Sequence, residues 1–249
     1  MRQRDLLLLP LDPDQWLVIA CDAAGGAGPK PADSVHCPAE AVGRLTARVA
    51  LMELVAAGAT PMALVCTACV EPSPTGVGLL AGVMAEAALV GLPPEAVTGS
   101  SEKNLPTSQT ALGVTAVGRV ARDRLRPGRA RPGDLVVAIG RPKVGADVRA
   151  DDPEIADLPL VQGLAAQAGV YDILPVGSRG IAVELADLAA SAGLQPLLQP
   201  APGWDLAASA GPATCVLAAI SAAAYPVLAA GWRQPHVKIA RLVPRIQEE

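Results

Sequence analysis

Short apolar runs alternate with turns rich in glycine, proline and aspartate, and their spacing sets the expected elements. Two runs, at 5–9 and 16–21, flank Asp12-Pro13-Asp14 and read as strands joined by a turn. Pro38 then opens a helix expected to reach about Ala57, with Gly58 closing it. Its apolar stripe is Val42, Leu45, Val49, Met52 and Ala56, spaced by threes and fours. A strand at 63–70, a helix from Thr75 to Val90 and a strand at 111–118 follow. Arg122–Gly133 reads as a linker. Beyond it come a strand at Asp134–Gly140 and helices near 154–168 and 180–192. The order is strand–helix–strand–helix–strand, then a smaller stretch of the same mixture.

The stretch most suggestive of chemistry follows the second run. Trp16–Ala20 reads as a buried strand that ends in Cys21-Asp22, and Gly25, Gly26, Gly28, Lys30 and Asp33 come next. Glycines let backbone N–H groups approach an anion closely. Lysine adds a point charge for phosphate, and carboxylates hold Mg²⁺ alongside substrate phosphates. The bland alternative is a surface turn. No lysine is followed by Ser or Thr here, so this is not a P-loop, and the Gly-x-Gly-x-x-Gly spacing of dinucleotide folds is missing. On the first helix, Glu53 projects onto the edge of the apolar stripe. A carboxylate there must bind metal or pair with a core arginine. Arg44 and Arg48 lie one turn apart on another face, where they either clamp an anion or stay solvated.

Charge and cysteines narrow the class. The net charge of −4 and an aromatic content of 2%, with no Phe, argue against a nucleic-acid partner. Cys66 and Cys69 form C-x-x-C within an apolar run. Residues three apart on a strand face opposite sides, so buried thiols are expected there rather than a zinc or redox site. A reducing, cytoplasmic setting follows. Asp5 and Pro10 bound the short Leu6–Leu9 run, so no export signal is read. Leu206–Trp232 is free of charge, but it contains Pro212 and Pro226 and much Ala, Ser and Thr. It reads as a buried strand at Thr214–Ile220, a turn and a short helix, not as a membrane span.

Several of these segments together resemble the PurM-like (AIR synthase-related) superfamily. Asp22–Lys30 looks like its acid–glycine–lysine loop. Gly43–Pro61, with Met52-Glu53-Leu54-Val55-Ala56-Ala57-Gly58-Ala59-Thr60-Pro61 at its end, looks like its signature helix. Thr98-Gly99-Ser100-Ser101-Glu102 stands at its glycine–glycine–acid motif, and Pro132-Gly133-Asp134 opens a second domain as in the family. The resemblance implies a mixed α/β, two-domain PurM-like fold. An N-terminal ATP/Mg-binding domain at 1–121 has a sheet with flanking helices, and a smaller α/β domain occupies 132–249. It also implies a homodimer in which the N-terminal sheets pack together.

Within the superfamily the pattern is most similar to the α-ribazole kinases, through Leu9–Asp12, Arg44–Glu53 and Thr98–Thr107. Selenophosphate synthases need a reactive residue in the N-terminal loop, and hydrogenase maturation factors need a C-terminal cysteine where this sequence has Gln247-Glu248-Glu249. The expected function is ATP- and Mg²⁺-dependent phosphorylation of a small nucleoside. Asp22, Asp33, Glu53 and Glu102 would hold the metal. Lys30 and the Gly25, Gly26 and Gly28 amides, with Gly99, Ser100, Ser101 and Arg48, would bind the nucleotide. Asp22, Lys30 and Arg44 would act on the transferring phosphate. The family usually has Asp where Glu53 stands and an acid where Ser101 stands. Two alternatives remain open: thiamine-monophosphate kinase or another synthase of the superfamily, and a catalytically silent protein of the same fold.

Overall fold

The computed structural model describes residues 1–245; positions 246–249, the end of the second expected domain, lie outside the described residues. The chain forms two units. The first comprises Met1–Val55, Ala59–Arg124 and Gly145–Asp151, and the second comprises Ala56–Gly58, Leu125–Val144 and the chain from Asp152 onward.

The first unit contains β1 (Arg2–Gln3), β2 (Leu6–Pro10), β3 (Gln15–Gly25), β4 (Ala27–Gly28), β5 (Val35–His36), α1 (Ala39–Ala56), β6 (Thr60–Ala68), α2 (Val77–Leu89), β7 (Val97–Ser101) and β8 (Ala111–Ala121). Six strands pair in the order β1-β2-β3-β8-β6-β7. Every pair is antiparallel except β6 with β7, which α2 connects. Alternation sorts the side chains. Leu6, Leu8, Val18, Ala20, Leu64, Val114 and Ala116 are buried on one face, while Leu7 and Leu9 stand exposed on the other. The buried residues of α1 include Ala47, Ala50, Leu51, Met52 and Leu54. The helix stops at Gly58, whose φ of 83° suits a left-handed cap.

The two helices of this unit touch through backbone. A Cβ on Gly43 would lie 2.0 Å from the Leu79 carbonyl oxygen, and one on Gly82 would lie 2.1 Å from that of Glu40. Only glycine permits this approach. It brings the faces carrying Arg44, Arg48 and Glu86 together.

The second unit contains β9 (Leu135–Ile139), α3 (Leu158–Ala166), β10 (Val170–Val176), α4 (Gly180–Ser191), β11 (Leu194–Leu198), β12 (Cys215–Ile220), α5 (Tyr225–Ala229) and β13 (His236–Pro244). Its antiparallel sheet runs β10-β12-β9-β13-β11. Both β9 and β12 are buried at every residue, which explains their unbroken apolar sequence. Ile181, Leu185 and Leu188 of α4 pack into the same core as Val136, Leu174, Leu217 and Ile239.

The charge-free stretch is strand β12, a turn and the short α5, as its composition suggests. No helix among the described residues is long and apolar enough to cross a membrane. Seven strands, β1, β4, β5, β7, β10, β11 and β13, lie where the hydrophobic pattern gave no strand. Gly145–Asp151, inside the range expected for the second domain, folds with the first unit.

Candidate functional site

The expected glycine loop is more ordered than a turn. β3 continues through Asp22 to Gly25, paired with β8 along its whole length. The chain then reverses at Gly26, whose φ is 72°, and β4 pairs in parallel with β5. Asp33 closes the loop. Its carboxylate accepts the Thr110 N–H at 2.7 Å, the Thr110 hydroxyl at 2.7 Å and the Lys30 N–H at 2.8 Å. Burial raises the Asp33 pKa, but these hydrogen bonds prevail and hold it below its ordinary value. The Gly26 N–H donates to the Thr110 carbonyl, and a Cβ on Gly28 would lie 2.3 Å from Thr110 Oγ1. Gly28 is therefore required by packing, and Gly25 is the open glycine, with nothing within 4 Å of an added Cβ.

Two sequence motifs meet here. Lys30 Nζ donates to the Thr107 carbonyl at 2.9 Å, and Gln109 Nε2 donates to the Ala32 carbonyl at 2.8 Å. Lys30 also pairs with Glu71 at 2.5 Å. That bond, with a second from Thr75, lowers the Glu71 carboxyl to about 2. Glu102 follows β7, and its N–H donates to the Val70 carbonyl at 3.0 Å, one residue from Glu71. The Glu102 carboxylate accepts the Asn104 and Leu105 N–H groups, which lower its pKa.

Asp22 occupies the same strand face as Val18 and Ala20. In register beside it stand Val114, then Cys66, then Gly99. Gly99 lies against Cys66, whose carbonyl oxygen would be 2.2 Å from an added Cβ. Burial pushes the Asp22 carboxyl up to about 6, with the Ala23 N–H opposing. Ser101 is in register with Ala68 and Leu112, on Asp22's side of the sheet, while Ser100 is in register with Thr67 on the other. Glu53 is half-buried on α1.

The structure divides the expected site residues. Asp22, Gly25, Gly26, Gly28, Lys30 and Asp33 share one loop system, with Glu102 beside its Glu71 contact. Among the described residues no three His, Cys, Asp or Glu side chains are grouped as a metal site. The four acids expected at the metal therefore do not converge on their own, and Asp33 is committed to the loop. Arg48 is not solvated: it is buried and bonded to Glu86, which also receives Arg44. Cys66 is buried as expected, but Cys21 and Cys69 are exposed.

Glu71, Glu86, Thr107, Thr110 and Asp151 carry contacts that the sequence pattern did not suggest. Glu86 had a signal, being the one acid in the apolar run Val77–Leu89. The partnership of Glu71 with Lys30 had none.

The architecture is the PurM-like fold. Residues 3–120 match the family model of the N-terminal domain of AIR synthase related proteins. Among solved structures, thiamine-monophosphate kinase from Stenotrophomonas maltophilia K279a is similar with a TM-score of 0.67 and 19% identity, over 97% of this chain and 90% of that one. T. maritima PurL complexed with ADP is similar with a TM-score of 0.67 and 15% identity, over 98% of this chain and 42% of that one. Hydrogenase maturation protein HypE in complex with ATP has a TM-score of 0.65 at 16% identity, over 95% of this chain and 78% of that one. Similarity at these identities establishes the fold. Among curated proteins none matches the sequence.

The raised pKa of Asp22 has a stability consequence. Below about pH 4 the group is protonated whether the chain is folded or unfolded, so it carries no penalty. Above about 6 it is charged in both states, and the penalty for burying it is full. With a chelator present, Asp22→Asn is therefore expected to be more stable than wild type at pH 7, by about 1–2 kcal/mol once partial hydration is allowed for. The gap should vanish as the pH falls through 6 to 4. Urea denaturation across this range measures it, and a destabilised variant at pH 7 would contradict the assignment.

Proposed function

We propose that the chain is an ATP- and Mg²⁺-dependent kinase that phosphorylates a hydroxyl of a small nucleoside, with α-ribazole as the acceptor. The observation that carries this reading is the half-buried carboxyl of Asp22 beside a glycine turn that Asp33 pins to Thr110, with Lys30 held against Thr107. Phosphoryl transfer asks mainly for positioning and charge neutralisation, and this loop system offers both. Asp22 and Glu53 would hold Mg²⁺, which usually takes one or two carboxylates and completes its shell with phosphate oxygens and water. Among the described residues no three His, Cys, Asp or Glu side chains are grouped, so the ion would have to draw most of its shell from phosphate oxygens and water. When bound, the ion would neutralise charge on the phosphates.

The chain's own residues supply the rest. Lys30 is tied to Glu71 and Thr107, so its charge is aimed rather than free to wander. Gly25 leaves room for a phosphate against the backbone. Gly99 stands in Asp22's own row across strands β8 and β6, and Ser101 is on the same sheet face; both would extend the nucleotide surface. ATP in the hydrogenase maturation protein and ADP in PurL, both of this fold, support nucleotide binding. The nucleoside acceptor rests on the similarity of Arg44–Glu53 and Thr98–Thr107 to α-ribazole kinases. Thiamine monophosphate is the second acceptor to test, because a thiamine-monophosphate kinase shares the fold over nearly the whole chain.

The reading includes a homodimer. Leu7, Ile19, Val117 and Ala63 form one row across four strands on the sheet face opposite the buried one. Leu7 and Leu9 are exposed there, as is Val65. A second sheet of the same kind would cover this apolar face.

Two experiments test the reading. The first incubates the protein with ATP, Mg²⁺ and each acceptor and follows products by ³¹P NMR and mass. ADP and α-ribazole 5′-phosphate are expected in equal amounts, with thiamine phosphate a poor acceptor. Preferential formation of thiamine diphosphate would replace the acceptor, and a folded protein that neither binds nor cleaves ATP would point to the silent protein. The second is sedimentation of Ile19→Glu, expected to be a folded monomer beside a dimeric wild type. A wild-type monomer, or a dimer that survives the substitution, would rule out this interface.

A further inference from the structure

Helix α1 carries Arg44 and Arg48 one turn apart, and α2 faces them with Glu86. Glu86 is fully buried and Arg48 is 2% exposed. Arg48 donates to Glu86 through Nη2 at 2.8 Å and Nε at 3.3 Å, and Arg44 through Nε at 3.2 Å. Two guanidinium charges thus share one carboxylate. A buried charge needs a partner, so the surplus calls for a second anion.

A short strap meets part of that need. Gly145–Asp151 folds with this unit although its sequence neighbours on both sides belong to the other. Asp151 accepts Arg44 Nη1 at 2.7 Å, and the Ala150 carbonyl accepts Arg48 Nη2 at 3.0 Å. The Asp151 side chain is 82% exposed, and so exposed an ion pair holds weakly. Arg48 Nη1 is buried and finds no acceptor among the described residues. Such groups are rare in folded proteins and mark a place where a partner belongs. The strap also lies along β5, the return strand of the glycine loop: a Cβ on Gly145 would stand 3.9 Å from Val35 Cγ2.

We propose that Arg44 and Arg48 form a subsite for a phosphate group, and that Asp151 on the Gly145–Asp151 strap fills it as an internal substitute. The proposal rests on the reading of this unit as one that handles phosphorylated ligands. Asp151 reaches Arg44 alone. A phosphate brings up to two negative charges and several strong acceptor oxygens, so it can take Arg44 Nη1 and the unmatched Arg48 Nη1 together. Its arrival would displace Asp151 and loosen the strap beside the glycine loop. The phosphate can come from a nucleotide tail or from a simple monoester, and both present the same oxygens to the arginines.

The test measures inorganic phosphate and pyrophosphate binding by calorimetry, with limited trypsin cleavage after the exposed Arg149 as a second readout. Asp151→Asn is expected to bind at least one of the two about tenfold more tightly than wild type and to be cut faster at Arg149. Tighter pyrophosphate alone assigns the subsite to a nucleotide tail; tighter phosphate assigns it to a monoester. Asp147→Asn makes the same charge change on the strap and is expected to leave both affinities unchanged. Adding Arg44→Gln to Asp151→Asn should abolish the gain. Unchanged affinities in Asp151→Asn, or a gain equalled by Asp147→Asn, would overturn the proposal. Mg²⁺-ATP binding by wild type is measured alongside. Its failure would sink the nucleotide reading, whereas the inorganic anions decide the strap whichever way ATP falls.

Discussion

Three hydrogen bonds on the buried Asp33 carboxylate close the glycine loop and tie it to Thr110, just before strand β8, and the candidate site depends on them. They join Lys30 and Thr110, far apart in sequence, at one point. A buried carboxylate is costly when its oxygens lack partners, so satisfying them here fixes the loop in a single conformation. Gly28 lets the chain pass beneath Thr110, where any side chain would collide. With the loop fixed, Lys30 reaches Thr107 and Glu71, and Asp22 is left at the end of a buried row with a carboxyl that burial makes reluctant to ionise.

A second buried carboxylate orders the helical side of the same unit. Glu86 gathers Arg44 and Arg48, and glycines at 43 and 82 bring the helix backbones close enough for it to do so. The two clusters differ in balance. Asp33 is fully met by neutral donors and behaves as structure. The arginine cluster carries more positive charge than its buried carboxylate can offset, and among the described residues the second carboxylate it meets is the exposed Asp151. Excess charge of this kind is poor value for stability and suits a place where another anion binds.

Much of this was legible in the sequence, for identifiable reasons. Strong periodicity located α1, β8 and α4, and the charge-free stretch resolved into β12 and α5 because proline and small residues rule out a long span. β7 escaped because Thr98-Gly99-Ser100-Ser101 has no apolar alternation; it is a strand through its pairing with β6. The glycines and acids of the loop pointed to the right region but not to separate roles. Nothing local distinguishes Asp33, which is spent on Thr110, from Asp22, which is not, since the difference lies in a partner far along the chain. For Arg48 the sequence left an anion clamp and a solvated face both open, and only the lone acid in α2 hinted at its burial against Glu86.

Amide hydrogen exchange on Asp33→Asn tests the central claim most directly. An Asn can replace at most part of the carboxylate's acceptor capacity, so the loop should open locally while the sheet stays closed. The account predicts that the amides of Gly26, Ser34, Val35 and Cys37, all bonded within the loop system, lose protection. Those of α1 and the β3–β8 ladder should keep theirs. Unchanged protection at the four loop amides, or a uniform loss across the whole unit, would show that Asp33 does not hold the site together.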